Sequence, residues 1–126
     1  MGERTLYEAV GGMAFFETLV ERFYAHVAED PVLLQLYPQP DDLGPARERL
    51  ARFLAQYWGG PTTYSEERGH PQLRMRHAPF AIGPKERDHW LTHMREALHS
   101  LHPPESVATP FEDYLAMAAE GMRNRE

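Results

Sequence analysis

The chain carries seven histidines and no cysteine. Any metal or cofactor it binds must therefore use His, carboxylate, Tyr or Met, and disulfides, thiolate-held zinc, iron–sulfur clusters and thiol nucleophiles are excluded together. His89 and His93 stand i, i+4 apart, the spacing of a helical zinc pair. They share a face with Glu86, Glu96 and Ser100, away from Trp90 and Leu98, and no HExxH run is present, which predicts a solvated polar face. His26, His99 and His102 fall near helix ends or polar surfaces, where capping and solvent account for them.

His77 differs in its setting. It ends a short helical run, Gln72 to His77, that Pro79 cuts off; it lies beside Arg76 and four residues after Leu73, and a long loop able to wrap a large ligand precedes it. Spacing alone leaves two readings open, a buried structural histidine and an inward-facing axial ligand. A haem iron needs one neutral imidazole nitrogen, with the other donating to a carbonyl or water, and a short helix with exposed carbonyls can supply that partner. Tyr24, Tyr37, Tyr57, Trp58 and Trp90 are individually accounted for as core. Each also carries an O–H or N–H that needs a partner when buried, and several such donors around one cavity suit a ligand that accepts hydrogen bonds. Arg47, Arg49, Arg52, Arg74 and Arg76 read as solvated helix faces or, for some, as receptors of an anionic group, since guanidinium forks match carboxylates.

The elements that must position these groups are all helical. Thr5 and Glu8 form a capping box for a short first helix that Gly11-Gly12 ends. From Met13, the residues Phe16, Leu19, Val20, Phe23 and Val27 keep helical spacing up to Glu29-Asp30-Pro31, with Tyr24 at the edge of the stripe. Pro31 to Tyr37 holds one more turn before a loop set by Pro38, Pro40 and Asp41-Asp42. A helix begins near Pro45 and runs through Leu50, Phe53, Leu54, Tyr57 and Trp58 to Gly59-Gly60-Pro61. Residues 59 to 71 lack periodicity and read as a long structured loop. Gly83-Pro84 opens an amphipathic helix through Trp90, Leu91, Met94, Ala97, Leu98 and Leu101, stopped by Pro103-Pro104. Thr109-Pro110 with Glu112 predicts the start of the last helix, buried through Phe111, Tyr114, Leu115, Ala118 and Met122. No segment alternates as a strand would, so the fold class is all-α.

Composition bounds the rest. A length of 126 residues fits one domain, 1–126, and hydrophobic and aromatic shares of 42% and 11% leave material for an apolar pocket as well as a core. The charged start MGERTLYEAV and the lack of a long apolar run predict a cytoplasmic chain with no leader and no membrane span. A net charge of −6 without a Lys/Arg block argues against nucleic acid as a partner.

Taken together, the runs AVGG at 9–12, RFYAHVAEDP at 22–31, LYP at 36–38, ERLARFLAQYWGGP at 48–61, TYSEERGHPQLRMRHAPF at 63–80 and ERDHWL at 86–91 resemble the truncated haemoglobins, specifically their group II. The likeness covers nearly the whole chain and is most specific from Tyr64 to Phe80. It implies a globin-like two-over-two helical sandwich enclosing haem b, with His77 as the proximal iron ligand. It places Tyr24, Tyr37 and Trp90 at the distal side, Ala46 where vertebrate globins carry a distal histidine, and Leu50 over the pocket. Arg49, Tyr64, His70 and Arg76 match positions that reach the haem propionates, while Phe53, Leu54 and Phe80 pack on the porphyrin. PQPDDLGP at 38–45 is richer in proline than the family pattern.

The function this implies is binding of oxygen, and of diatomic ligands such as CO or NO, with slow oxygen release set by phenol and indole donors. The alternative is a redox enzyme, peroxidase-like or a nitric oxide dioxygenase, using the same haem with peroxide or with an unidentified reductase. A haem-free helical adaptor is the competing reading from another class. Both a monomer and a homo-oligomer fit the sequence.

Overall fold

The computed structural model describes residues 5–126; Glu3 and Arg4, the charges that argue against a leader, lie outside the described residues. Eight helices follow in order among these residues: α1 (Leu6–Ala9), α2 (Met13–Val27), α3 (Pro31–Leu34), α4 (Gly44–Tyr57), α5 (Thr63–Arg68), α6 (Leu73–His77), α7 (Pro84–Ser100) and α8 (Glu105–Met122). No helix is long and apolar enough to cross a membrane among the described residues.

The predicted stripe of α2 is the centre of the core, with Phe16, Leu19, Val20, Phe23 and Val27 all fully buried. Burial of such side chains contributes about 1.5–3 kcal/mol each, far more than the helix propensity of a 15-residue segment. The stripe packs on both α4 and α7, and α7 packs on α8. This is the two-over-two globin sandwich, with the short helices at its edges.

Helix α1 is fastened to the end of α4. Thr5 and Glu8 cap each other reciprocally, and the Tyr7 N–H donates to the Trp58 carbonyl at 3.0 Å. This close approach needs Gly60: a Cβ there would lie 2.6 Å from Tyr7 ring carbons and 2.8 Å from the Ala55 carbonyl oxygen.

Three expectations from sequence are corrected. Residues 59 to 71 are not loop throughout, because α5 forms inside them. Its stabilisation is tertiary and so invisible to periodicity: Tyr64 is buried, and the Gln56 side chain accepts from the Ser65 N–H at 3.0 Å while donating to Ser65 Oγ at 2.7 Å. The last helix begins at Glu105 rather than at Thr109-Pro110, with Pro110 inside it. Buried Val107 draws this extra turn onto the core, and the Pro104 carbonyl accepts from both Val107 and Ala108 N–H groups.

The third correction concerns His89 and His93, which do not lie on a solvated face. Both rings bond Asp30, a buried carboxylate in the turn between α2 and α3, at 2.8 and 2.6 Å. Burial pushes the Asp30 pKa up, but the hydrogen bonds from His89, His93 and the Val32 N–H outweigh it and hold the group at about 2.

The two glycine environments predict opposite outcomes. Gly60→Ala should destabilise the fold by about 1–3 kcal/mol, as overpacking does. Gly121→Ala, in α8 with open space where its Cβ would go, should be neutral or stabilising by up to about 1 kcal/mol. Chemical denaturation of both variants measures the contrast, and equal midpoints would contradict the packing argument.

Candidate functional site

A cavity of about 440 Å³ opens between the two helix pairs, within the range of roughly 300–1,000 Å³ usual for ligand pockets. Its lining is mainly apolar, with polar groups from α2, the segment after α3, and α4 to α8.

His77 enters this cavity from α6, a helix of five residues. Isolated helices of that length are unstable, so its position depends on outside supports. Gln72, which precedes the helix, is left-handed at φ 43°, a conformation costing a non-glycine residue about 1–2 kcal/mol. Arg76 holds the strained corner: its Nε donates to the Pro71 carbonyl at 2.7 Å, and one terminal nitrogen to the carbonyls of Arg68 and His70 at 2.8 and 3.2 Å. On the other side, Asn124 Nδ2 donates to the carbonyls of His77 and Phe80 at 3.3 and 2.8 Å, while its Oδ1 accepts from the Ile82 N–H at 3.0 Å.

Within this frame, His77 Nδ1 lies 2.7 Å from the Leu73 carbonyl oxygen. A carbonyl only accepts, so Nδ1 is the donor, and among the two neutral tautomers this selects the one whose lone pair is on Nε2. The expected partner of the imidazole is thus the carbonyl one turn earlier in α6.

Tyr24, from α2, and Tyr37, just after α3, bring their hydroxyls to 3.5 Å of each other, with rings edge to face at 5.7 Å. That separation is at the long limit of an O–H···O bond: Tyr37 donates only weakly to Tyr24, and the Tyr24 proton remains available. Burial, reinforced by the Tyr37 phenol and opposed by the Arg49 charge, pushes the Tyr24 pKa well above its ordinary 10.0. Burial also raises that of Tyr37, against the hydrogen bond to Tyr24. Both phenols are therefore neutral donors at neutral pH. Trp90 packs edge-on against Phe23 at 5.4 Å and lines the same space; among the described residues nothing accepts from its indole N–H.

The predicted residues are unevenly gathered. Ala46, Arg49, Leu50, Phe53 and Leu54 from α4 line the cavity, as do Tyr64, Arg76 and Phe80. His70 is exposed and outside the lining, contributing only its backbone carbonyl, to Arg76. Tyr57 stacks on Tyr114 and Trp58 on Phe111, both outside the lining. Arg52 pairs with Glu67 at 2.9 Å, and Arg47 and Arg74 are exposed.

Sequence reasoning missed three contributors. Arg68 lines the cavity, and among the described residues neither its guanidinium nor that of Arg49 makes a hydrogen bond, whereas that of Arg76 is committed to the loop. The α8 wall, including Ala118 and Met122, closes the cavity from the far end of the chain. Asn124 supports the segment after His77 across 44 and 47 residues of sequence, a separation no local pattern announces.

An imidazole whose Nε2 no protein group engages, phenol and indole donors, apolar walls and two unpaired guanidinium groups together form a receptor for a large, flat, partly anionic metal complex. The donor set fits haem: a nitrogen for iron, apolar side chains for the macrocycle and cations for its carboxylates.

Comparisons with known proteins agree with this geometry. Residues 5–124 match the family described as bacterial-like globin. The chain is 44% identical over 92 residues to the group 2 truncated haemoglobin YjbI of Bacillus subtilis, covering 73% of this chain and 67% of that one. Among solved structures, a thermostable haemoglobin from the actinobacterium Thermobifida fusca is 58% identical with a TM-score of 0.93, covering 96% of this chain and 98% of that one. A haemoglobin from the thermophilic phototroph Chloroflexus aurantiacus is 54% identical with a TM-score of 0.94, covering 98% and 100%.

Asn124→Ala should strand two carbonyls and loosen the segment after His77, costing about 1–3 kcal/mol. Urea unfolding checks the magnitude, and a variant as stable as wild type would remove Asn124 from the support.

Proposed function

Because the chain belongs to the bacterial-like globins, as one of their group II truncated haemoglobins, we propose that it binds haem b through His77 and holds oxygen tightly, releasing it slowly. When bound, the haem supplies an iron with an open coordination position for a diatomic ligand. All other parts of the task fall to side chains. His77 offers Nε2, and the Leu73 carbonyl holds the ring in the tautomer that leaves that nitrogen unprotonated. Leu50, Phe53, Leu54 and Phe80 supply apolar walls, and burying macrocycle area against them contributes at about 25 cal/mol per Å². Arg49 and Arg68 are the guanidinium groups left free for the two propionates.

Tyr24, Tyr37 and Trp90 set the retention of the gas. A diatomic ligand held in this cavity would accept hydrogen bonds from these three donors, each worth about 0.5–1.5 kcal/mol net. The observation that carries this reading is the pair of part-buried hydroxyls 3.5 Å apart, two donors without a strong bond to each other in the cavity that His77 enters.

Three measurements test it. His77→Ala should lose stoichiometric haem; retention with an unchanged visible spectrum would sink the axial assignment. Tyr24→Phe and Tyr37→Phe should each speed oxygen dissociation by about two- to tenfold, the rate equivalent of one such bond. Stopped-flow oxygen release reads this directly, and rates equal to wild type would remove the phenols from ligand retention. The same rate should stay flat from about pH 7 to pH 9, because raised pKa values keep both phenols protonated there. Acceleration within that window would show that a donor ionises below its ordinary range.

A further inference from the structure

Away from the cavity, the turn between α2 and α3 meets α7 at a second group of chemically capable side chains. Asp30 divides its carboxylate between two tasks. Oδ1 accepts from the Val32 N–H at 2.9 Å and caps α3, while Oδ2 lies 2.8 Å from His89 Nδ1 and 2.6 Å from His93 Nε2. His89 and His93 are one helical turn apart, so their rings leave α7 on the same side and reach one oxygen. Their side chains are 37% and 18% exposed and that of Asp30 is 9% exposed, a group screened by protein yet open to solvent through His89.

One feature of His93 is unexplained by the pairing with Asp30. Its other ring nitrogen, Nδ1, is buried without a hydrogen-bond partner. Beside it, the His26 ring stacks on His93 at 5.4 Å with planes 5° apart, and Glu96 lies 3.7 Å from His26 Nε2. Ligand atoms of His26, His93 and Glu96 fall within 4.8 Å of one another, as do those of Asp30, His89 and His93.

We propose that Asp30, His89 and His93 bind one divalent transition-metal ion of the zinc class. Two imidazoles and a carboxylate form a three-ligand set that leaves a fourth position for water, and nitrogen donors select zinc-like ions over magnesium or calcium, which favour all-oxygen surroundings. Tetrahedral bonds of about 2.0–2.1 Å would place the donor atoms about 3.3 Å apart. The two nitrogens must therefore open from 2.8 and 2.6 Å by about 0.6 Å, a small side-chain movement. With a metal at Nε2, the His93 proton resides on Nδ1, the buried ring nitrogen that has no hydrogen-bond partner. The ion would cross-link the α2–α3 turn to α7 and add to the stability of the fold by mass action. The site is independent of haem and of the oxygen reading.

Equilibrium dialysis of haem-loaded protein against zinc, with metal analysis, and thermal unfolding with and without zinc test the proposal. Wild type is expected to bind one zinc per chain and to unfold at a higher temperature with it. His89→Ala, which removes a partly exposed ring and leaves the core alone, should weaken zinc binding by about tenfold or more and abolish the thermal shift. His26→Ala should leave binding within about twofold. The haem spectrum of each variant reports whether the fold is kept. Three outcomes would overturn the assignment: no stoichiometric zinc on wild type, unchanged binding by His89→Ala, or loss in His26→Ala alone, which would place the ion in the neighbouring cluster.

Discussion

The hydrogen bond from His77 Nδ1 to the Leu73 carbonyl is the interaction on which the site depends. It decides which ring nitrogen keeps a lone pair, and it does so inside a helix too short to form by itself. The surrounding architecture holds this one and a half turns in place. Arg76 ties its strained left-handed approach to three carbonyls, Asn124 ties its exit to the end of the chain, and α8 packs behind it. A free imidazole on a flexible loop would rotate; this one is held in direction by its bond to the Leu73 carbonyl.

The same economy of backbone support appears on the opposite helix pair. Tyr24 belongs to the most buried helix of the fold, and Tyr37 follows a single turn whose N-cap is Asp30. Burial keeps both phenols neutral and hence able to donate, while the gap between their oxygens leaves the Tyr24 proton for a third party. Asp30 itself lies outside the pocket lining. Its carboxylate caps α3 and joins that turn to α7, the helix that carries Trp90.

Much of this was legible beforehand, for identifiable reasons. The stripe of α2 kept its spacing because burial there is nearly complete, and the glycine and proline stops of α4 and α7 act locally, so both helices end where punctuation says they should. The Thr5–Glu8 box is likewise a contact three residues apart. Reading failed where long-range contacts outweighed local pattern. Helix α5 has no apolar period and depends on Gln56 and a buried Tyr64, and α8 overran the apparent cap at Thr109 because Val107 gains burial. The polar side of α7 looked solvated because its partner, Asp30, is 59 and 63 residues away.

By itself, the sequence determined an all-helical chain without thiol chemistry, the order of its main helices, and the presence of an isolated histidine beside a proline-broken turn; these follow from composition and from interactions within one or two turns. Tertiary structure alone decided which arginines stay free at the cavity, which polar aromatics line it, that His70 lies outside it, and that two histidines and an aspartate converge elsewhere. Those facts depend on side chains meeting across tens of residues. Their meeting is set by how amphipathic helices bury their faces against one another, a collective packing outcome that no single segment encodes.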